Sequence, residues 1–495
     1  MHERVDNFSG LRIHTAMLII CLLAPFVCGS DGRSNDSLNA DPVIDAIGLR
    51  EHQDGEDLVS PLTDTLGGMD LSCPRCNVIL LNTELLRADH VGLISGGNLT
   101  PELDRLFNGS IIFTDVTAAS GETFRSNWAT LTGLEGLTFN SKEYFNLKYP
   151  YVFPGDLDGI GSLINRTYPF PTLLEVFNEN GYFVININDG PRSGEGAGLL
   201  RGVDFYKEHG DMLIAGAFNM TGAVISENRI SPFILLARNK YLHMSEWRIL
   251  PKDTRLEDDD ILFIEHPGHK EYFFPRENKV LQKKIYAEKV SNMDDALGPL
   301  FDILDVYRNN SIIVLYSNHG ESLGDNDIIR HGIGFQSCVY VPLMILHPNI
   351  DGPVRVRQPV SLIDLAPTLY DMIGIDYSHD MHGTSLVPLI NNGSYPKRFI
   401  YGKNDYDYYV RMGDFKYLVR YGTEKILINI TADPYELTDI SNEYPQVVSL
   451  MDSRLTVRVL EVARFKEQEG VVEEEVSTTE RIIKYVYTLY RRYVQ

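Results

Sequence analysis

Five short apolar runs punctuate the chain, each stopped by polar or turn-forming residues: NVILLN (77–82), FVINI (183–187), FILLA (233–237), IIVLYS (312–317) and LMIL (343–346). Continuous runs of this length, without polar alternation, read as strands buried on both faces. Between them the period lengthens to that of a helix. Met293, Leu297, Leu300 and Leu304 recur at helical spacing, and LIDLAPTLYDMIGI (362–375) ends at a Gly-containing stop. The alternation predicts an α/β fold, a three-layer sandwich with a mostly parallel sheet between helices. After about residue 395 the pattern changes. RFIYGK, YYVRMGDFKYLVRY and KILINI read as antiparallel strands, and Val448, Met451, Leu455, Val459 and Val462 mark one face of a terminal helix. The expected organisation is a linker or surface wrap over 30–76, a main domain over 77–395 and a smaller C-terminal subdomain, antiparallel sheet plus helix, over 396–470. A charged, Tyr-rich tail follows over 471–495, and no internal repeat is found.

The first 29 residues change the picture. Basic residues in MHERVDNFSGLRIH precede the apolar AMLIICLLAPFV, and small residues follow in VCGS. This is the build of a secretory signal cleaved after Gly29, with a retained anchor as the alternative. No later stretch reaches membrane-spanning length, so no stable membrane span is expected once the signal is removed. The expected location is secreted, or the secretory-pathway lumen. N-x-S/T acceptors at Asn35, Asn98, Asn108, Asn165, Asn219, Asn309, Asn392 and Asn429 fit a glycoprotein, although Leu-Thr-Pro after Asn98 makes that one a poor acceptor.

Against 45 Lys and Arg stand 68 Asp and Glu, a net charge of −23. Such a balance excludes a general nucleic-acid or heparin binder, while a locally positive pocket can still take a small anionic substrate. Of the five cysteines, Cys21 and Cys28 leave with the signal. Cys73, Cys76 and Cys338 are too few for a disulfide scaffold. CPRC (73–76) suggests a local bond, or a pairing of one member with Cys338.

Candidate chemistry sits where the apolar runs stop. IIVLYSNHGE (312–321) ends on an amide, an imidazole, a glycine and an acid. These residues suit a turn, and they equally suit a set of ligands delivered to the carboxyl edge of an open sheet. Two further segments join it: ILLNTELLRADHVG (79–92) after the first strand, and SGETFRSNWATLTGL (120–134), a small-residue turn leading into a helical pattern. In this order the segments resemble the sulfatase family of the alkaline-phosphatase superfamily. Further echoes lie in TPELDRLFNGSIIFTDV (100–116), TLLEVFNENGYFV (172–184), VSLIDLAPTLYDMIGI (360–375) and LINITADPYELTDIS (427–441). The resemblance runs from about 77 to 450 and implies a secreted, metal-dependent hydrolase of sulfate or phosphate esters.

Carried over by position, the resemblance implies a divalent cation bound by Glu84, Asn318, His319 and Thr123. Glu84 stands where the family has Asp, Leu85 leaves it without a paired acid, and Asn318-His319 replaces an Asp-led pair. The imidazole moves the expected metal from calcium toward manganese or zinc. Asp89 is a possible further acid, though it resembles a structural Asp of the family. His331 in RHG and His243 in LARNKYLHMSEW match substrate-contacting histidines. The largest departure is the nucleophile. Family members use C-x-P-S-R, whose Cys or Ser becomes formylglycine; here T-F-R-S-N places Thr123 there, and no cysteine has that context. Thr123 then reads as a nucleophile activated by the metal, with Arg125 and Asn127 as donors to the ester oxygens. The plainer alternative is that Thr123 caps the helix beginning RSNWATL. Three functions follow: a metal-dependent ester hydrolase, a Thr-nucleophile phosphatase or phosphotransferase-like relative, and a non-catalytic binding protein that keeps the fold. The expected partner is a small sulfated or phosphorylated ester.

Overall fold

The computed structural model describes residues 70–139, 169–188, 199–209, 214–228, 230–243, 278–328 and 330–471, and the backbone of three further strands between 247 and 273. The expected signal, most of the linker, the tail beyond 471, and the acceptors Asn35 and Asn165 lie outside the described residues.

In chain order the first half comprises β1 (Asn77–Thr83), α1 (Pro101–Phe107), β2 (Ile111–Phe113), α2 (Thr123–Thr132), α3 (Leu173–Glu179), β3 (Phe183–Asn188), β4 (Phe205–Glu208), α4 (Ile214–Glu227) and β5 (Phe233–Asn239). Then come α5 (Lys279–Tyr307), β6 (Ser311–Tyr316), β7 (Leu343–Leu346), β8 (Val354–Val356) and α6 (Leu365–Ile373). β9 (Ile400–Lys403), β10 (Asp407–Met412), β11 (Phe415–Arg420), β12 (Glu424–Asn429) and α7 (Pro445–Gln468) close the described chain. All five apolar runs are strands.

Eight strands form the main sheet in the order β8-β2-β7-β6-β1-β5-β3-β4. Within it only β7 runs against its neighbours; the other pairings are parallel. Successive residues of β1 face opposite layers, which is why the run carries no polar alternation. Val78 and Leu80 pack with Trp128 of α2, Leu173 of α3 and Leu369 of α6. Ile79 and Leu81 pack on the other face with Phe218 of α4 and Met293 and Leu297 of α5. The fold is the expected α/β three-layer sandwich. A separate three-stranded antiparallel sheet joins Trp247–Pro251, His269–Phe273 and Leu262–Glu265.

β9 to β12 form the expected C-terminal antiparallel sheet, in sequential order. α7 docks on it through Asp452, which accepts from Tyr417 Oη at 2.7 Å and Lys425 Nζ at 2.8 Å. The buried face of α7 differs slightly from the expected one. Val447, Met451, Leu455 and Val462 are buried, whereas Val448 and Val459 are half-exposed, because the stripe drifts around a long helix. Cys73 and Cys76 are disulfide-bonded, and Cys338 is a buried free thiol. Asn98, Asn108, Asn219, Asn309 and Asn392 are exposed, and Asn429 is half-buried. Among the described residues no helix is long and apolar enough to cross a membrane.

Candidate active site

The parallel strands bring three chain segments level. Asn82 of β1 pairs in register with Tyr316 of β6 on one side and Arg238 of β5 on the other. The residues just beyond therefore emerge side by side at the carboxyl edge, where a parallel sheet offers its chemistry. Glu84 leaves β1 with its amide bonded to Asn239 O at 3.2 Å, and the next residue, Leu85, has a left-handed φ of 72°. That conformation is rare for a bulky side chain and bends the chain sharply behind Glu84. Beyond β6, the amide of Gly320 donates to Cys338 O at 2.7 Å. A Cβ at Gly320 would collide with Ser337 O, so only glycine lets the turn carrying His319 close this tightly.

Thr123 meets these strand ends from another layer. It is the first residue of α2, Glu122 is the N-cap, and no side-chain cap bond is made. Thr123 therefore does not occupy the capping position. It donates to Glu84 Oε1 at 2.5 Å and lies 3.0 Å from His319 Nε2. His319 Nδ1 donates to Gly320 O at 2.9 Å, which puts the proton there and turns the Nε2 lone pair toward Thr123. Burial, reinforced by His331, pushes His319 well below its ordinary 6.5. Imidazole and carboxylate thus converge on one hydroxyl at the amino end of a helix, where the unpaired amides favour a negative group.

A second layer of histidines covers the first. The His331 ring stacks on His319 with centroids 4.8 Å apart, and His243 meets His331 edge-on at 5.1 Å. Nδ1 of His331 donates to Glu321 Oε2 at 3.2 Å, and the Glu321 side chain is 2% exposed. Burial drives His331 toward the neutral form, but the Glu321 carboxylate outweighs it and the pKa ends above 6.5. Two stacked imidazoles thus have environments that pull their protonation apart.

Of the expected site residues, Glu84, Thr123, His319, His331 and His243 gather. Arg125 turns inward: its guanidinium donates to Phe139 O at 2.9 Å and pairs with Glu122 at 2.5 Å. Asn127 accepts from Asn82 Nδ2 at 3.1 Å, tying α2 to β1. Asn318 is buried, and neither atom of its side-chain amide has a hydrogen-bond partner among the described residues. Asp89 pairs with Arg87 at 2.6 Å and with His90, a structural role.

Arg238 joins these residues only in the structure, and Glu321, the acid on which IIVLYSNHGE ends, takes its place beside His331. Glu321 lies in the NHGE turn, and Arg238 ends the run FILLAR. The guanidinium of Arg238 contacts Glu84 Oε2, with side chains 5% and 3% exposed. Burial pulls Arg238 down to about 9, with Tyr316 acting in the opposite direction. The signal for both is the one that marks Asn318: a polar residue where an apolar run stops.

The turn before Thr123 is held from the C-terminal sheet. Asn404 Oδ1 accepts from Gly121 N at 2.6 Å and Ser120 Oγ at 2.9 Å, and Asp405 N donates to Glu122 Oε1 at 2.6 Å. Tyr409 Oη donates to Ala118 O. The nucleophile position therefore rests on residues 283 to 291 positions downstream of those they hold.

A hard divalent cation wants several anionic oxygens. This set offers one carboxylate, an amide, an imidazole and a hydroxyl, and a guanidinium already lies against the carboxylate. Among the described residues no group of three or more His, Cys, Asp and Glu side chains is placed to hold a metal. The residues do not fit the divalent ion that the resemblance implies.

Comparison with known proteins supplies the context. Residues 76–195 and 263–375 match the model described as Sulfatase, and 331–462 match N-sulphoglucosamine sulphohydrolase, C-terminal. Arylsulfatase K of Mus musculus is 26% identical over 194 residues, which span 35% of this chain and 35% of that protein. The structure of BT4656 in complex with its substrate D-glucosamine-2-N,6-O-disulfate superposes with a TM-score of 0.57 at 17% identity, covering 81% of this chain and all of that one. Phosphonate monoester hydrolase of Agrobacterium radiobacter superposes at 0.56 with 15% identity, covering 79% and 96%. Both share the fold.

Proposed function

Because the chain belongs to the sulfatase family, we propose that it hydrolyses a small anionic ester, phosphate or sulfate, through the hydroxyl of Thr123. The observation that carries this reading is the convergence of Glu84 Oε1 and His319 Nε2 on that hydroxyl. Glu84 is the nearer acceptor, and burial resists charging His319. Glu84 therefore takes the Thr123 proton, and the His319 imidazole stands beside the same oxygen as the alternative acceptor. As Oγ bonds to phosphorus or sulfur, the bond to the ester oxygen breaks, and the departing oxygen takes a proton from His331. Water then attacks the threonine ester and gives its proton to His331. Oγ leaves, reclaims its proton from Glu84, and every group is restored.

Known relatives support an anionic ester as the substrate class, since BT4656 takes a sulfated glucosamine and the Agrobacterium enzyme a phosphonate monoester. A secretory location rests on the signal-like start and agrees with the Cys73–Cys76 disulfide, a bond of oxidising compartments. One observation favours the non-catalytic reading: the Arg238 contact offsets the charge of the proposed base. The test is turnover of matched aryl phosphate and aryl sulfate by wild type and Thr123→Ala, with mass spectrometry of the peptide bearing Thr123 after acid quench. Turnover lost in the variant, with a modified Thr123 in wild type, supports the enzyme. No turnover of either ester makes the binding protein the better reading.

A further inference from the structure

The pairing in register that levels Asn82 with Arg238 also fixes what lies across from Glu84. Arg238 is the next-to-last residue of β5, and its side chain reaches the carboxylate leaving the neighbouring strand. Oε1 of that carboxylate accepts from Thr123 and Oε2 meets the guanidinium, so one carboxylate bridges hydroxyl and cation. Where a metal site needs surplus negative charge, the expected ligand set holds one carboxylate, Glu84, and a guanidinium lies against it, while the Glu321 carboxylate is engaged with His331. An added divalent ion would face the Arg238 charge across a dry interior, where repulsion is far less screened than in water.

We propose that Arg238 serves as the resident cation of this site, neutralising Glu84 and binding the oxyanion of the ester without any divalent metal. Arg suits the task because its planar fork can hold the carboxylate with one edge and present N–H groups to a phosphate or sulfate oxygen with another. The buried amide of Asn318, one residue before His319 and without a partner among the described residues, supplies a further donor that a bound oxyanion would satisfy.

This inference rests on the reading of the centre as an anion site, but its test does not require turnover. Full-length protein is purified, dialysed against EDTA, and titrated calorimetrically with inorganic phosphate, then separately with calcium, manganese and zinc. Element analysis of undialysed protein accompanies it. The expected results are phosphate affinity unchanged within about twofold by EDTA, no stoichiometric metal, and affinity lowered at least about tenfold in Arg238→Met, the loss of one charged hydrogen bond. Since Arg238→Met leaves Glu84 buried and unpaired, the double variant Glu84→Gln/Arg238→Met is the folded control; it too should lose phosphate. Stoichiometric metal in wild type, phosphate binding abolished by EDTA, or unchanged binding in the double variant would each overturn the proposal. Ester turnover failing while metal-free phosphate binding persists would remove the hydrolase and leave Arg238's role standing.

Discussion

Nδ1 of His331 and Oε2 of Glu321 are 3.2 Å apart, and that carboxylate holds the half-buried imidazole above its ordinary 6.5 against its own desolvation. Removing the carboxylate should reverse the balance. In Glu321→Gln the main upward influence is gone, only Glu122 still opposes burial, and the folded pKa of His331 falls. The protonated form, needed by the departing oxygen, is then lost at lower pH. The alkaline limb of kcat should move down, so that at a fixed alkaline pH the rate falls about tenfold for every pH unit the limb travels. An alkaline limb that stays in place would take His331 out of the acid role.

Phosphate esters should turn over faster than matched sulfate esters. Formylglycine can expel sulfate by collapsing its second hydroxyl to an aldehyde, whereas threonine has a single oxygen and no such exit. Its ester must wait for water, and electrostatic positioning makes that route familiar for phosphoryl groups. Thr123→Ala should lower turnover by about 10³-fold or more. Sulfate preferred by wild type and lost in the variant would defeat this expectation.

Arg125 should matter for stability before anything else. Its guanidinium is 1% exposed and holds Glu122 and Phe139 O. Arg125→Met should cost about 3–5 kcal/mol in urea unfolding, the range for breaking a buried pair by deleting one partner. Unchanged stability with phosphate affinity down about tenfold would restore it as a direct donor.

Acid should destabilise the protein through His382. Its Nδ1 accepts the Glu135 amide at 3.1 Å, and burial, with Arg458, pulls its pKa down to about 3. Below 6.5 the unfolded chain binds a proton that the folded one refuses. The contribution is therefore complete above pH 6.5 and is lost as pH falls toward 3, with a slope of at most about 1.4 kcal/mol per pH unit. His382→Asn should flatten the acid side of a plot of unfolding free energy against pH. An identical slope in the variant would assign the acid sensitivity elsewhere.

Much of the fold is legible because the main-sheet strands are buried on both faces, so burial writes itself into NVILLN and IIVLYS as unbroken apolar runs. Glu84, Thr123, His319, His331 and His243 are legible as polar groups in family order beside those runs. Spacing does not encode the direction of a long side chain. Arg125 lies two residues after Thr123 and reads as a donor to the same site, yet it turns into the interior. Arg238 escapes the pattern because FILLA looks complete at Ala237, while the strand continues to Asn239. The metal expected at Glu84 follows from the family pattern, and the guanidinium against it comes from a strand distant in sequence.

The grip of Asn404, Asp405 and Tyr409 on the turn before Thr123 makes the boundary near residue 395 a seam in the sequence alone. A module that can be shuffled between proteins carries its chemistry whole. Here a cut at the seam would leave Glu84, His319 and Arg238 on their strands and take away the mount of the nucleophile. Substitutions of Asn404, Asp405 or Tyr409 would therefore be felt at the turn that carries Thr123, far from them in sequence.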